Sequence, residues 1–319
     1  MNNYSMGISS TERIGYIDFL KFIGLTGIII AHTGPPNWVF MLRNFDVPLM
    51  VILSSILASR SFAKYSETRS SAIDYYVSRI KRLVIPTWIF LVFYFSYSFV
   101  VTGQRASTKY YVDSFLLTRY GIGYVWIILI YLYSAMLTPI FARLKLSRKG
   151  FIIVCATYIL YEIAYFYKLG LNGSGFIKDF IDTTFYYIIP YGVLTYLGYN
   201  YFKMKNRTKL IIALVSFIVF ISLAVYYQSA LGSFQLVQIA KYPPRIYYLG
   251  YGIGCSFALL ILCKKKHLKL YENRVIRFIS SHSMWIYLWH ILILDIYGRL
   301  KMPEIWFIKL IIVYLLCKR

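Results

Sequence analysis

Along the chain, apolar residues fall in blocks of about 15–22, separated by short polar stretches rich in Lys and Arg. A helix needs about 20 apolar residues to cross a hydrocarbon core of about 30 Å, so each block predicts a membrane-spanning helix. Ten spans are expected, at 16–34, 45–62, 83–101, 120–141, 151–168, 183–202, 209–227, 245–263, 280–298 and 303–317. The connections are too short to fold as separate domains. The expected fold is all-α, a polytopic membrane helix bundle, with residues 1–319 forming a single integral-membrane domain.

Composition agrees with the pattern. The 319 residues are 59% hydrophobic and 15% charged, against about 25% charged in soluble domains. The net charge of +23 would point to nucleic acid in a soluble protein. Here the cations sit in the connections, where topology accounts for them, so no nucleic-acid partner is expected and membrane lipids are. With the N-terminus inside, the inner segments carry 22 Lys and Arg and the outer loops 9. That bias predicts both termini on the cytoplasmic side of the cell membrane. The four cysteines, Cys155, Cys255, Cys263 and Cys317, lie apart in apolar blocks and read as small core residues. Residues 1–14 are polar, and the first apolar block is not followed by a small-residue cleavage site, so no cleavable signal is expected. Nothing in the pattern suggests a metal site or a permanently bound cofactor.

An ionisable side chain inside hydrocarbon costs roughly 2.5–3.5 kcal/mol on insertion scales. The first span, "YIDFLKFIGLTGIIIAH", holds three: Asp18, Lys21 and His32. Eleven residues separate Lys21 from His32, so they differ by about 20° in azimuth and about 16 Å along the axis. They share one face, with Lys21 toward the inner end and His32 toward the outer. Asp18, three residues before Lys21, is placed for an ion pair with it. In "YYVSRIKRLVIP", Arg79 and Arg82 are three apart beside Lys81, a spacing suited to gripping phosphate and equally to anchoring at lipid headgroups. The ninth span carries His290 near mid-membrane, where one interhelical hydrogen bond would satisfy it structurally. Asp46 opens the second span on the same side as His32, placed either to orient that imidazole or to sit at the helix N-terminus. In "KYPPRIYYLGYG", Tyr242 and Arg245 offer an aromatic and cationic surface on the outer side, suited to carbohydrate or to the interfacial belt.

In order and topology, "RIGYIDFLKFIGLTGIIIAH", "DVPLMVILSSILASRSF", "SRIKRLVIP", "GYVWIILIYLYSAMLTPIF", "YPPRIYYLGYG" and "SHSMWIYLWHILIL" together resemble the integral-membrane acyltransferase-3 family, which O-acylates cell-surface polysaccharides and related glycans. Lys21 and His32 fit the family motif of a basic residue, ten others and histidine; Arg79 and Arg82 fit its Arg-x-x-Arg. The resemblance implies a catalytic role for His32 and handling of an acyl-CoA donor, acetyl-CoA by first expectation, around Lys21, Arg79 and Arg82. The acceptor would be a polysaccharide or lipid-linked glycan entering on the outer side near Asp46, Tyr242 and Arg245. This chain departs from the family pattern in having Leu49-Met50 and Ser54-Ser55 where Phe-Phe and Ser-Gly are usual. It also has Lys21 in place of the commoner arginine. His32 would act as general base or as acyl-imidazole nucleophile. A transporter or flippase for lipid-linked sugars stays open as the alternative, since buried ionisable residues suit a substrate path too. No second copy of the Lys-x10-His pattern is present to mark an inverted repeat.

Overall fold

The computed structural model describes residues 13–67, 72–144, 146–169, 175–265 and 268–317. The terminal residues 1–12 and 318–319, on which the expected topology of the ends partly rests, lie outside them. Helix α1 (Gly15–His32) is followed by the short α2 (Asn37–Leu42), then α3 (Asp46–Glu67) and α4 (Ala72–Thr102). The short α5 (Thr108–Phe115) leads to α6 (Trp126–Leu144) and α7 (Arg148–Phe166). After α8 (Phe176–Thr183) come α9 (Phe185–Tyr199), α10 (Asn206–Leu231) and α11 (Ile246–Lys265). The chain closes with α12 (Arg274–Ser281), α13 (Ser283–Arg299) and α14 (Trp306–Cys317).

Each of the ten expected spans overlaps one of these helices, several of which run past the expected bounds. Among the described residues, seven runs are long and apolar enough to cross a membrane by length and composition: Gly15–His32, Asn37–Ala63, Ile73–Thr102, Trp126–Leu144, Arg148–Phe166, Asn206–Leu231 and Ile246–Lys265. The other three expected spans hold shorter helices: α9 has 15 residues, α13 has 17 and α14 has 12. At 1.5 Å per residue, α14 rises only about 18 Å, short of the hydrocarbon thickness.

Helix α3 forms the centre, touching α1, α4, α6, α9 and α11. Its Leu49, Val51, Ile52, Leu53 and Ile56 are wholly buried. By contrast α10 turns Leu210, Ile211, Leu214, Val215 and Ile218 outward. An apolar face of that extent belongs against lipid rather than water. The bundle closes at glycines. A Cβ at Gly198 of α9 would lie 2.5 Å from the Ile52 carbonyl oxygen and 2.7 Å from Ser55 Cβ. One at Gly252 of α11 would overlap the Pro48 ring. The α3–α9 approach that the family's usual second-span glycine would serve is thus supplied from the opposite helix, facing Ser55.

Two contacts set the frame of the site. Lys21 of α1 reaches the Ser280 carbonyl, and His32 of α1 reaches His290 of α13. Both numbers rise together, so α1 runs alongside the consecutive helices α12 and α13 in the same direction. The four cysteines are free thiols.

Candidate functional site

Helix α1 ends at His32 because the next residues cannot continue it. Thr33 caps it, its hydroxyl donating to the Ile30 carbonyl at 2.9 Å. Gly34 then turns left-handed at φ 73°, and Pro35-Pro36 follow. The imidazole of His32 therefore sits where the helix opens into a connection. Its Nδ1 lies 2.9 Å from Nε2 of His290, with the rings near-parallel at 13° and centroids 5.1 Å apart. Tyr124 stands edge-on to His32 at 4.8 Å, on a loop bent by Gly123 at φ 75°. The Tyr287 hydroxyl donates to the Tyr124 carbonyl and fixes that loop.

The hydrogen bonds select tautomers. His290 is fully buried, and its Nδ1 faces the Tyr287 carbonyl, which only accepts. His290 Nδ1 must therefore carry the proton, so its Nε2 in the neutral ring is an acceptor. His32 Nδ1 then donates to it. That leaves a lone pair on His32 Nε2, with no partner among the described residues. This is the arrangement of a general base held by an orienting group.

Three adjoining cavities lead along this frame. A cavity of about 170 Å³ is walled by His32, Arg43, Asp46, Trp126, Gln238, Lys241, Tyr242 and neighbouring apolar residues. It shares Ile28, Ile127 and Tyr287 with a cavity of about 640 Å³ that holds Lys21, Arg79, Arg82 and Ser281. The larger one shares Arg82, Pro86 and Trp285 with an open surface hollow of about 590 Å³ lined by Ser78 and Lys81. The middle cavity is within the size range of small-molecule sites, whereas the small one holds little more than reacting groups. Along α1 the order is Lys21, Ile28, His32, spanning about 16 Å. Along α13 and its lead-in it is Ser281, Trp285, Tyr287, His290.

The structure sorts the expected residues. Lys21, Arg79 and Arg82 come together in the middle cavity. Arg79 stacks over Tyr75 at 5.1 Å, and among the described residues neither arginine makes an ion pair. The expected Asp18–Lys21 pair is not made. Asp18 is bonded instead to Arg13 and to the Ser280 hydroxyl at 2.6 Å, while Lys21 Nζ donates to the Ser280 carbonyl at 2.6 Å. The reason is tertiary: α12 brings a serine with two polar handles between them. Asp46 lines the His32 cavity but does not orient the imidazole. One oxygen accepts from Arg43 at 2.9 Å, the other from the Val47 amide at 2.6 Å, and His290 takes the orienting place. Tyr242 lines the same cavity, whereas Arg245 does not. Arg245 bonds Glu162 at 2.6 Å and lies 4.0 Å over Tyr165, tying α11 to α7.

Lys241, Arg43, Gln238 and Tyr124 were not singled out from the sequence. Burial pushes the Lys241 ammonium down to about 8, with Asp46 pulling it back up and Arg43 pressing it further down. Burial pushes the neighbouring Tyr242 hydroxyl up to about 12, so it remains a neutral donor. The one available sequence signal was a second cation near Pro-Pro in "KYPPR", which nothing in the sequence ranks above Arg245.

A polytopic helical protein with a histidine pair beside a cation-lined cavity is, as a class, a multi-pass membrane protein with internal cavities. The acyltransferase-3 family model, described as an acyltransferase domain, matches residues 14–317, and the chain belongs to that family. It is also similar to the probable poly-β-1,6-N-acetyl-D-glucosamine export proteins of Staphylococcus aureus strains MSSA476 and MW2. Each is 26% identical over 297 residues, covering 85% of this chain and 77% of theirs. The relative from strain MRSA252 stands at the same identity and coverage. No solved structure matches the chain.

Proposed function

We propose that the protein moves an acyl group, acetyl by first expectation, from cytosolic acyl-CoA to a hydroxyl of an extracellular or lipid-linked polysaccharide. The observation that carries this reading is the arrangement of two neighbouring cavities that share Ile28, Ile127 and Tyr287 as wall, with Lys21, Arg79 and Arg82 in one and His32 in the other. CoA phosphates would dock on Arg79 and Arg82, with Lys81 and Trp285 in the hollow outside. The thin thiol-bearing arm would run past Lys21, and its thioester would meet His32. There His32 Nε2 takes the proton of the acceptor hydroxyl as that oxygen attacks the carbonyl, a role worth about 10²–10⁴-fold. His290, through its bond to Nδ1, holds the ring with the lone pair toward the chamber. The relatives' glycan makes hydroxyls of an N-acetylglucosamine polymer the first acceptor to test.

The relatives' name as export proteins favours a second reading, export of unmodified polymer. A cell that makes such a polymer, carrying either wild type or His32→Ala, separates the two. Acyl transfer predicts that His32→Ala keeps polymer at the surface but strips its base-labile esters. Loss of surface polymer, with no ester on the wild-type product, would favour export.

A further inference from the structure

The charges around the small cavity do not balance. Arg43 and Asp46 are both buried and paired at 2.9 Å, and the second oxygen of Asp46 is held by the Val47 amide. Lys241 is left over. It is 4% exposed and makes no ion pair among the described residues; its Nζ lies 5.4 and 6.0 Å from the ring centroids of Tyr242 and Trp126. A buried cation without a counter-ion is costly, and a cation–π contact offsets only part of that. The backbone nonetheless fixes it there. The turn Val237–Ala240 precedes it, Lys241 N donates to the Gln238 carbonyl at 3.2 Å, and Arg245 N donates to the Ala240 carbonyl at 2.8 Å. Two polar atoms of the same wall, Gln238 Oε1 and Arg43 Nε, are also buried without a partner among the described residues. Lys241 Nζ and Arg43 Nε are donors that a negative oxygen would satisfy, while Gln238 Oε1, an acceptor, calls for a donor such as a hydroxyl.

We propose that Lys241 is a catalytic residue whose ammonium stabilises the oxyanion formed on the thioester carbonyl in this cavity. The assignment rests on the acyl-transfer reading above. As the acceptor oxygen bonds to the carbonyl carbon, its proton passes to His32 Nε2 and the carbonyl π pair moves onto oxygen, facing Lys241. When the tetrahedral species collapses, that pair re-forms the C=O and the carbon–sulfur bond breaks. The departing CoA thiolate takes the proton back from His32, giving CoA thiol and the ester. Negative charge appears on the carbonyl oxygen only between these events. A buried cation fixed beforehand therefore favours the transition state over the bound substrate.

The test uses full-length protein in membranes, with radiolabelled acetyl-CoA and a β-1,6-linked N-acetylglucosamine oligosaccharide as probes. Lys241→Met keeps the length of the side chain and removes the charge. It is expected to lower kcat about 10²–10³-fold, the usual loss for one oxyanion donor, with KM for acetyl-CoA unchanged. The rate of the wild type should fall as pH rises through about 8, where Lys241 loses its proton, and Lys241→Arg should move that alkaline limb upward. The titratable and charged groups that line the cavity with Lys241 are His32 from α1, Arg43, Asp46, the adjacent Tyr242 and Tyr287 from α13. Tyr242, at about 12, does not titrate in that window. A purely structural lysine would not carry the pH limb, so if Lys241→Met fails to insert, the Lys241→Arg profile decides. Wild-type rates in Lys241→Met, or an unmoved limb in Lys241→Arg, overturn the assignment while leaving acyl transfer standing. Absence of label transfer by the wild type overturns both.

Discussion

Replacing His290 by Leu isolates the orienting half of the histidine pair. The change removes the acceptor for His32 Nδ1–H while keeping most of the apolar volume among Ile286, Leu288 and Ile291, all buried. A buried donor left without its partner costs about 1–3 kcal/mol. If that energy is lost from the reactive tautomer, the rate falls by about 5- to 150-fold, at roughly 1.4 kcal/mol per tenfold. His32→Ala removes the base itself and should cost about 10²–10⁴-fold. His290→Gln can present its Oε1 to His32 and should recover much of the lost rate. Initial rates of label transfer from acyl-CoA to oligosaccharide, normalised to protein in the membrane, order the three variants. Wild-type rates in His290→Leu would dissolve the pair. A loss as deep as in His32→Ala, without rescue by Gln, would put His290 in the chemistry rather than behind it.

Further outcomes follow from the passage and the packing. Arg79→Ala and Arg82→Ala should each raise KM for acyl-CoA by about tenfold, near the low end for a charge-assisted bond of about 1.5–3 kcal/mol because Arg82 is exposed; a drop in membrane protein level with KM unchanged would mark them as lipid anchors instead. Ile127→Phe adds bulk at a residue that lines both cavities. It should suppress transfer while leaving CoA binding, measured by displacement of labelled CoA, near wild type; retained transfer would put the donor path elsewhere. Gly198→Ala drives a methyl into the Ile52 carbonyl, so it should destabilise the detergent-purified protein by about 1–3 kcal/mol, read as a lowered Tm; an unchanged Tm would mean α3 and α9 separate freely.

Much of the bundle was legible because hydrocarbon leaves few options: a block of apolar residues must satisfy its own backbone, and a helix does so. Within one helix, the shared face of Lys21 and His32 was legible from spacing alone. What crosses between helices was not. The i,i+3 spacing of Asp18 and Lys21 suggested a pair, but Ser280, more than 250 residues away in sequence, brings a hydroxyl and a carbonyl between them. Asp46 was the candidate to orient His32 and His290 was expected only to make some interhelical hydrogen bond; the packing of α1 beside α13 makes His32 that partner. Lys241 and Arg245 look alike in "KYPPR". The turn before α11 sends one into the chamber and leaves the other on Glu162 of α7.

The central claim is that a histidine at the end of α1 transfers an acyl group from CoA to a glycan hydroxyl. Membranes containing wild type or His32→Ala at equal protein level, given radiolabelled acetyl-CoA and the N-acetylglucosamine oligosaccharide, test it most directly. The account predicts base-labile label on the oligosaccharide with wild type and its reduction by about 10²-fold or more with His32→Ala. Equal labelling by the two proteins would contradict it.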